Sequence, residues 1–223
     1  MMENQDLTPF LVSGASGLVG RALVRRLLED EAGAGVVAVV RRPLGNAVGR
    51  LTEVVADFGR LEEITVPRVR TAFCALGTTI AKAGSEAAFR AVDVEAVVAF
   101  ARLARRAGAT RFLLVSALGA DAGSRVFYNR TKGEAEEAVK AVGFDGVALL
   151  RPSLLVGERE ESRPAERVAI VASGLFSWAM AGPLARWKPV PAEAVAAAMV
   201  AVANGTLTGV RIVENEEIHR LAG

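Results

Sequence analysis

The chain has 223 residues, of which 52% are hydrophobic and only 5% aromatic, and its formal net charge is +2. This length suits one well-buried domain, and the small charge without a lysine-rich tract argues against nucleic-acid binding. A single cysteine, Cys74, excludes an internal disulfide and a cysteine-built zinc site. A single histidine, His219, argues against a histidine-based metal centre and a Ser-His-Asp triad.

The N-terminal residues, MMENQDLTP, contain neither the basic segment nor the apolar run of a secretory signal, which predicts a cytoplasmic protein. Residues 168–185 contain no charged side chain and approach the length of a membrane span. Because serine, glycine and proline interrupt this segment, we expect a lid or an interface helix there instead of membrane contact.

The first predicted element is an apolar strand at residues 9–13, followed by a glycine-rich turn and an amphipathic helix. Gly14, Gly17 and Gly20 give the turn a G-x-x-G-x-x-G spacing. Glycines let the backbone approach a pyrophosphate closely, and a helix N-terminus carries partial positive charge, so the turn is a candidate phosphate cradle. The alternative is a tight turn without a ligand. The other residues of the candidate cradle are Ala15, Ser16, Leu18 and Val19.

The second apolar run, residues 35–40, ends at Arg41 and Arg42, where an NAD-selective site would carry an acidic residue. Two guanidinium groups favour a 2′-phosphate, so NADP(H) is the expected cofactor and NAD(H) the less favoured one. The alternative is a pair of solvated surface arginines. After the third strand, Asp57 and Phe58 are candidates to frame the adenine, although Asp is also a common turn former.

Short apolar runs bounded by glycine or charge predict further strands at residues 51–56, 71–76, 111–116 and 146–150. Helical patterns lie between them, the longest at residues 86–107. The alternation predicts an α/β fold with a doubly wound parallel sheet, Rossmann-like, in strand order 3-2-1-4-5-6. Ligands would bind beyond the carboxyl ends of the strands. Further candidate cofactor contacts at this edge are Leu76, Gly77, Thr78 and Pro152.

Tyr128 and Lys132 are four residues apart in a predicted helix, so they share one helix face. An ammonium near a phenol favours the phenolate and promotes proton transfer to a carbonyl or from an alcohol. Ser116, at the end of the fifth strand, can donate a hydrogen bond to the same substrate oxygen. We therefore assign Tyr128 as the acid/base, Lys132 as the group that tunes it and binds the cofactor ribose, and Ser116 as the orienting residue. Surface positions are the alternative for either helix residue alone.

Other ionisable groups are interpreted as structural. Cys74 lies within a predicted strand and is expected to be a buried small residue, and His219 is also expected to be structural. Glu134, Glu136 and Glu137 are predicted to form a solvated helix face.

The C-terminal part of this single domain, residues 1–223, shows weaker alternation of strands and helices. A loop rich in proline and charge begins at residue 151, and a helix near 191–203 and a strand at 210–214 follow the uncharged segment. We expect residues 151–190 and the C-terminal segment to shape the substrate side.

Together these residues resemble the short-chain dehydrogenase/reductase superfamily, with Ser116, Tyr128 and Lys132 at its catalytic positions. More narrowly, the chain is similar to the atypical branch that contains the Tat-interacting oxidoreductase-like proteins, and this resemblance implies NADPH binding. Two departures stand out, since Ser13 occupies a place where extended relatives often carry threonine and no asparagine of the catalytic set is identified. The most specific stretches are CALGTTIAKAGSEAAFRAVD (74–93), YNRTKGE (128–134), RPSLLVGEREESRPAER (151–167) and ENEEIHRLAG (214–223).

The leading hypothesis is an NADPH-dependent oxidoreductase that acts on a small carbonyl or alcohol substrate. Two alternatives are left open. One is an NADPH-binding regulatory or redox-sensing protein that acts through a protein partner, and the other is an epimerase or dehydratase that retains its cofactor. A homodimer is left open as well.

Overall fold

The computed structural model describes residues 8–29, 33–45, 49–156 and 186–223. The strands, in chain order, are β1 (Phe10–Ser13), β2 (Val36–Val40), β3 (Leu51–Val55), β4 (Thr71–Cys74), β5 (Arg111–Val115), β6 (Gly146–Arg151), β7 (Leu155–Val156), β8 (Val190–Pro191) and β9 (Gly209–Glu214). The α-helices are α1 (Leu18–Glu29), α2 (Ile80–Ala83), α3 (Glu86–Arg90), α4 (Val97–Arg106), α5 (Phe127–Lys140), α6 (Ala192–Asn204) and α7 (Asn215–Leu221). A 3₁₀ helix covers Phe58–Glu63 and a π-helical segment covers Ala91–Ala96.

Seven strands form one parallel sheet in the order β3-β2-β1-β4-β5-β6-β9. The predicted doubly wound α/β fold and its strand order are confirmed, and β9 extends the sheet beyond β6. Strands β7 and β8 pair separately, also in parallel. Since parallel neighbours require crossovers, helices cover both faces of the main sheet.

Alternate residues of each strand enter two different hydrophobic clusters, one on each face of the sheet. On β1, for example, Val12 packs in the cluster that includes α1 and α6, whereas Leu11 packs in the cluster that includes α4. All five residues of β2 are buried. Burial on both faces explains why the sequence shows continuous apolar runs without polar alternation.

The single long helix predicted at residues 86–107 is divided by the π-helical segment into α3 and α4. Ser85 caps its start, because its side chain accepts a hydrogen bond from the Ala88 N–H. A π-helical turn inserts an extra residue and so rotates the helix face that follows. Within this segment Asp93 is 1% exposed, although charged side chains are seldom buried.

The uncharged segment at residues 168–185, interpreted as a lid or interface helix, lies outside the described residues. In the four ranges that the structure describes, no helix is both long enough and apolar enough to cross a membrane.

The loop between β5 and α5 packs directly on α5. The Asp121 N–H donates a hydrogen bond to the Asn129 carbonyl at 3.0 Å. At Gly133, in the middle of α5, an added Cβ would overlap the Ala122 nitrogen and the Asp121 carbonyl carbon. A side chain at this position would therefore push the loop away from the helix.

We expect Gly133→Ala to lower the free energy of unfolding by about 1–3 kcal/mol, as overpacking does. The sign of this change distinguishes the two cases, because a glycine-to-alanine change inside an exposed helix stabilises the helix by about 1 kcal/mol. Thermal and urea unfolding measure the effect. Gly123→Ala in the same loop is the matched control, since an added Cβ there meets its nearest atom at 3.5 Å, an ordinary contact. Stabilisation by Gly133→Ala would contradict this packing.

Candidate active site at the carboxyl edge of the sheet

The carboxyl ends of β1, β4 and β5 bring the glycine turn, residues 76–78 and Ser116 to one edge of the sheet. The Ala75 N–H donates to the Ser13 carbonyl at 2.9 Å, which ties the start of the glycine turn to the end of β4. Segments that are distant in sequence therefore share one site, as expected for a doubly wound sheet.

The glycine turn is fitted closely to its surroundings. Gly14 has a φ of +81°, and a Cβ there would overlap the Ala75 carbonyl. A Cβ at Gly20 would overlap the Gly14 carbonyl, so both positions require glycine for packing alone. In contrast, Ser16 and Gly17 are exposed and leave the N-terminus of α1 open, as anion binding by backbone N–H groups requires.

The neighbours of these glycines contribute to the core. Ala15 and Val19 are buried in the cluster around α1, and Leu18 packs against it. Their side chains are occupied by these contacts, so only their backbone groups are free to meet a bound phosphate.

The residues that follow β2 are exposed to solvent, whereas those that follow β3 already make contacts within the protein. Arg41 and Arg42 directly follow β2 and are exposed. The Asp57 carboxylate accepts the Gly59 N–H at 2.9 Å and caps the 3₁₀ helix, which supports its interpretation as a turn former. Phe58 packs against the hydrophobic cluster on the α4 face.

Lys132 forms a buried ion pair with Asp93. The distance from Lys132 Nζ to Asp93 Oδ1 is 2.6 Å, and the two side chains are 8% and 0% exposed. The Thr78 N–H donates to Asp93 Oδ2 at 2.9 Å. An added Cβ at Gly77 would lie 3.4 Å from both the Asp93 carboxylate and the Lys132 ammonium. The ion pair thus joins α5, the π-helical segment and the loop after β4.

Burial by itself lowers the pKa of Lys132, but the nearby Asp93 carboxylate and then the negative charge of an ionised Tyr128 raise it, and the net pKa lies above its ordinary value. Lys132 therefore stays charged at neutral pH. Cys74, close enough to interact with this pair, is fully buried, and burial raises the pKa of its thiol to about 12. The expectation that Cys74 is a buried small residue is confirmed.

Two more predicted catalytic side chains lie at this edge. Tyr128, in the first turn of α5, is half-buried with its ring centroid 5.6 Å from that of Phe89. Ser116 follows β5, and its N–H donates to the Leu150 carbonyl at 2.7 Å. The Ser116 hydroxyl is buried and has no hydrogen-bond partner in the described part of the chain. Since buried polar groups normally have partners, a ligand oxygen is a natural one for this hydroxyl.

The prediction that Glu136 belongs to a solvated helix face is wrong. Glu136 is 1% exposed and forms a bidentate pair with Arg151, with Nε–Oε1 at 3.0 Å and Nη2–Oε2 at 2.6 Å. Arg151 also contacts Glu214 of β9 at 3.3 Å. Glu136 lies one turn beyond Lys132 on α5, and this spacing is the sequence signal that places both on the buried face.

Asp93 was not predicted as a site residue, although it ends the family-specific stretch 74–93. A carboxylate inside an otherwise apolar helical stripe was the available signal. No catalytic asparagine was identified, and the side chain that contacts Lys132 here is a carboxylate instead.

A cavity of about 310 Å³ opens beside the carboxyl ends of β6 and β9. Pro152 lies next to it, and its carbonyl accepts the Leu118 N–H at 2.9 Å. Charged residues of both signs surround the cavity, which suits a polar ligand. Its lining residues are Leu118, Gly119, Arg151, Arg186, Glu214 and Glu216.

The chain matches a family model described as NAD(P)H-binding over residues 14–205. Protein HTATIP2 of Rattus norvegicus is 36% identical to it over 174 residues, which cover 75% of this chain and 70% of that protein. Protein FMP52, mitochondrial, of Coccidioides immitis (strain RS) is 31% identical over 226 residues, covering 95% and 92% of the two chains.

Among solved structures, MoeE5 in complex with UDP-glucuronic acid and NAD is similar with a TM-score of 0.68 and 20% sequence identity. The similarity covers 93% of this chain and 76% of that one. At this identity it supports the same arrangement of strands and helices and nothing further.

We expect Glu136→Gln to lower the free energy of unfolding by about 1.5–3 kcal/mol, because it weakens the charged hydrogen bonds of the mostly buried Arg151 guanidinium, which keeps only its contact with Glu214. The matched control is Glu134→Gln on the same helix, whose ion pair with Arg90 is 32% and 41% exposed. That change should cost less than about 1 kcal/mol. Urea unfolding of both variants measures the difference, and equal losses would contradict a structural role for the buried pair.

Proposed function

The chain belongs to the NAD(P)H-binding family, as an atypical member of the short-chain dehydrogenase/reductase superfamily, and we propose that it is an NADPH-dependent oxidoreductase that reduces a small carbonyl compound. The observation that carries the proposal is the shared edge of the sheet. There, the Ser116 hydroxyl, which has no hydrogen-bond partner among the described residues, and the charged Lys132 lie beyond the same strand ends as the glycine turn. This combination supplies hydrogen-bond donors for a substrate oxygen beside a binding place for pyrophosphate.

The residues of this edge fit a nicotinamide cofactor. The backbone of residues 14–20 would hold the pyrophosphate at the N-terminus of α1, and residues 76–78 with Pro152 would flank the nicotinamide half. Lys132 would donate hydrogen bonds to the ribose hydroxyls, which an ammonium can do while paired because it has three donors. Bound NADPH supplies the hydride for reduction.

The side chains of the protein would handle the proton and the substrate oxygen. The Tyr128 phenol donates a proton to the carbonyl oxygen as the alcohol forms, and the Ser116 hydroxyl donates a hydrogen bond that holds this oxygen in place. Lys132, one helical turn from Tyr128, stabilises the phenolate that remains.

NADPH is preferred to NADH in this proposal because of the residues after β2. Arg41 and Arg42 are exposed at the position where a 2′-phosphate would lie, so both are free to turn toward it. Asp57, the nearby carboxylate after β3, is engaged as a helix cap. Guanidinium groups bind phosphate through charge-assisted hydrogen bonds.

A cytoplasmic location also belongs to this proposal. The relatives from fungi are named mitochondrial, which makes the mitochondrion the second candidate location. Fractionation of cells that produce the protein distinguishes the two.

The double change Arg41→Ala with Arg42→Ala should weaken NADPH binding at least about tenfold, which corresponds to about 1.4 kcal/mol, and change NADH binding little. The reason is that only NADPH carries the 2′-phosphate. Calorimetric titration with each nucleotide measures both affinities. Arg25→Ala with Arg26→Ala is the matched control, since it removes the same charge from exposed positions on α1. Equal losses for the two nucleotides would contradict the cofactor assignment.

Tyr128→Phe should reduce turnover at least about 100-fold, because it removes the proton donor, and should leave NADPH affinity unchanged. Turnover is followed as NADPH oxidation with a panel of small aldehydes and ketones, and affinity by calorimetry on the same preparation. Retained turnover would rule out Tyr128 as the acid. Tight NADPH binding without turnover of any panel member in the unmodified protein would favour a cofactor-binding regulator.

A further inference from the structure

A second cavity lies at the edge of the sheet opposite the candidate active site. Helices α4 and α5 both end there, each shortly before the strand that follows it in the chain. The cavity between these helix ends has a volume of about 500 Å³. Along α5, Ala138 lies roughly 15 Å beyond Tyr128, at about 1.5 Å per residue, so this cavity is separate from the candidate active site. We call it the arginine cavity, and its lining residues are Arg102, Arg105, Arg106, Ala138, Ala141 and Val142.

Every charged residue that lines the arginine cavity is an arginine. Arg102, Arg105 and Arg106 are exposed and share one face of α4, because they follow the spacing i, i+3 and i+4. Like charges at this spacing destabilise a helix. The helix dipole favours cations in the last turn, which accounts for Arg105 and Arg106. It does not account for Arg102, which precedes that turn. An anion bound among the three guanidinium groups would relieve their repulsion.

No acidic side chain of the protein neutralises these three arginines in the part of the chain that the structure describes. The acid next to the cavity on α5 is Glu137, and its carboxylate is paired with Lys140 at 2.7 Å. Arginines elsewhere do form ion pairs with carboxylates, among them Arg25, Arg60, Arg90, Arg151 and Arg211. The positive charge of the arginine cavity is therefore left for a ligand to balance.

Two of the three guanidinium groups are held in place by neutral partners. Arg106 Nη2 donates a hydrogen bond to the Leu61 carbonyl at 2.9 Å, and Arg105 Nη1 donates to the Ala109 carbonyl at 3.3 Å. A guanidinium has five N–H donors, so each of these side chains keeps donors for a ligand. Side chains that are already anchored lose less conformational entropy when a ligand binds. The carbonyls thus fix the arginines without cancelling their charge.

We propose that the arginine cavity binds a small soluble phosphate compound that carries at least two negative charges. The planar fork of a guanidinium matches the oxygens of a phosphate and can bind them in pairs. Three cations in one cavity suit a multiply charged anion better than a single carboxylate. The small uncharged side chains of Ala138, Ala141 and Val142 leave room for the organic part of such a ligand. This site does not depend on the proposed oxidoreductase function.

Calorimetric titration with inorganic pyrophosphate tests the site. Arg102→Gln with Arg105→Gln keeps a similar helix propensity but removes two charges, and it should weaken pyrophosphate binding at least about tenfold. Arg25→Gln with Arg26→Gln is the matched control, since it removes the same charge from the last turns of α1, where both arginines already contact Glu193. This control should leave the affinity unchanged. Equal affinities of the unmodified protein and both variants would overturn the proposal, because pyrophosphate would then bind elsewhere, for example at the glycine turn.

Chemical modification of arginine by phenylglyoxal locates the site in the unmodified protein and needs no variant to fold. Pyrophosphate should slow the modification of Arg102, Arg105 and Arg106 but not that of Arg220, an exposed arginine in the last turn of α7. Peptide mass spectrometry reads each position. Absence of this selective protection would refute the site. Protection that grows with protein concentration alone would show that a second copy of the chain covers the cavity, and this result would also refute it.

Two further probes test the chemistry of the ligand. Acetate, which carries one negative charge, should bind far more weakly than pyrophosphate, and equal affinities would contradict the requirement for a multiply charged anion. Vesicles that contain phosphatidic acid present the same phosphate chemistry on a membrane. Sedimentation of the protein with these vesicles, without binding of soluble pyrophosphate, would identify a membrane-binding surface and overturn the proposal.

The outcome is separate from that of the proposed function, because the two sites lie at opposite edges of the sheet. The variant Arg102→Gln with Arg105→Gln should lose pyrophosphate binding and keep the NADPH affinity and turnover of the unmodified protein. A protein that neither binds NADPH nor turns over any carbonyl compound, yet shows the selective protection by pyrophosphate, keeps the arginine cavity and loses the oxidoreductase assignment. An active protein without that protection has the opposite result.

Discussion

The buried ion pair between Lys132 and Asp93 is the contact on which the geometry of the candidate site depends. Removing two charges from water costs several kcal/mol per ion, and only close pairing with further hydrogen bonds offsets that cost. The 2.6 Å contact and the N–H of Thr78 meet this requirement. Separating the two partners would leave each with an unpaired charge in the protein interior. The helix that carries Lys132, the π-helical segment and the loop after β4 are therefore held in one relative position.

A second buried pair holds the same helix from the other side. Glu136 on α5 binds Arg151 at the end of β6, and Arg151 reaches Glu214 at the end of β9. Lys132 and Glu136 are one turn apart, so consecutive turns of α5 are fixed first toward β4 and then toward β6 and β9. The loop packed at Gly133 adds a steric contact between these two turns. Together these contacts define the orientation of the first turn of α5, which contains Tyr128.

Local spacing and periodicity predict much of this structure. The strand order, the glycine turn and the shared edge of Ser116 and Tyr128 follow from apolar runs and from the topology of parallel sheets. The buried acids do not follow, because an acidic residue in a helix is usually solvated. For Asp93 the reason is Lys132, a partner 39 residues away in sequence that only the folded chain brings near. For Glu136 the reason is Arg151, a partner that only the folded chain brings near.

Burial and the Asp93 carboxylate have opposite effects on the charge of Lys132. Burial lowers its pKa, so a lysine without a counter-ion at this depth would tend to release its proton. Asp93 prevents this and keeps the ammonium charged, but the same carboxylate weakens the field that the ammonium exerts on Tyr128. Under the proposed function, the lysine therefore acts first as a charged hydrogen-bond donor to the cofactor ribose and only second as a tuner of the phenol. The spacing of tyrosine and lysine along α5 places both side chains on one helix face, and the acid partner keeps the lysine charged.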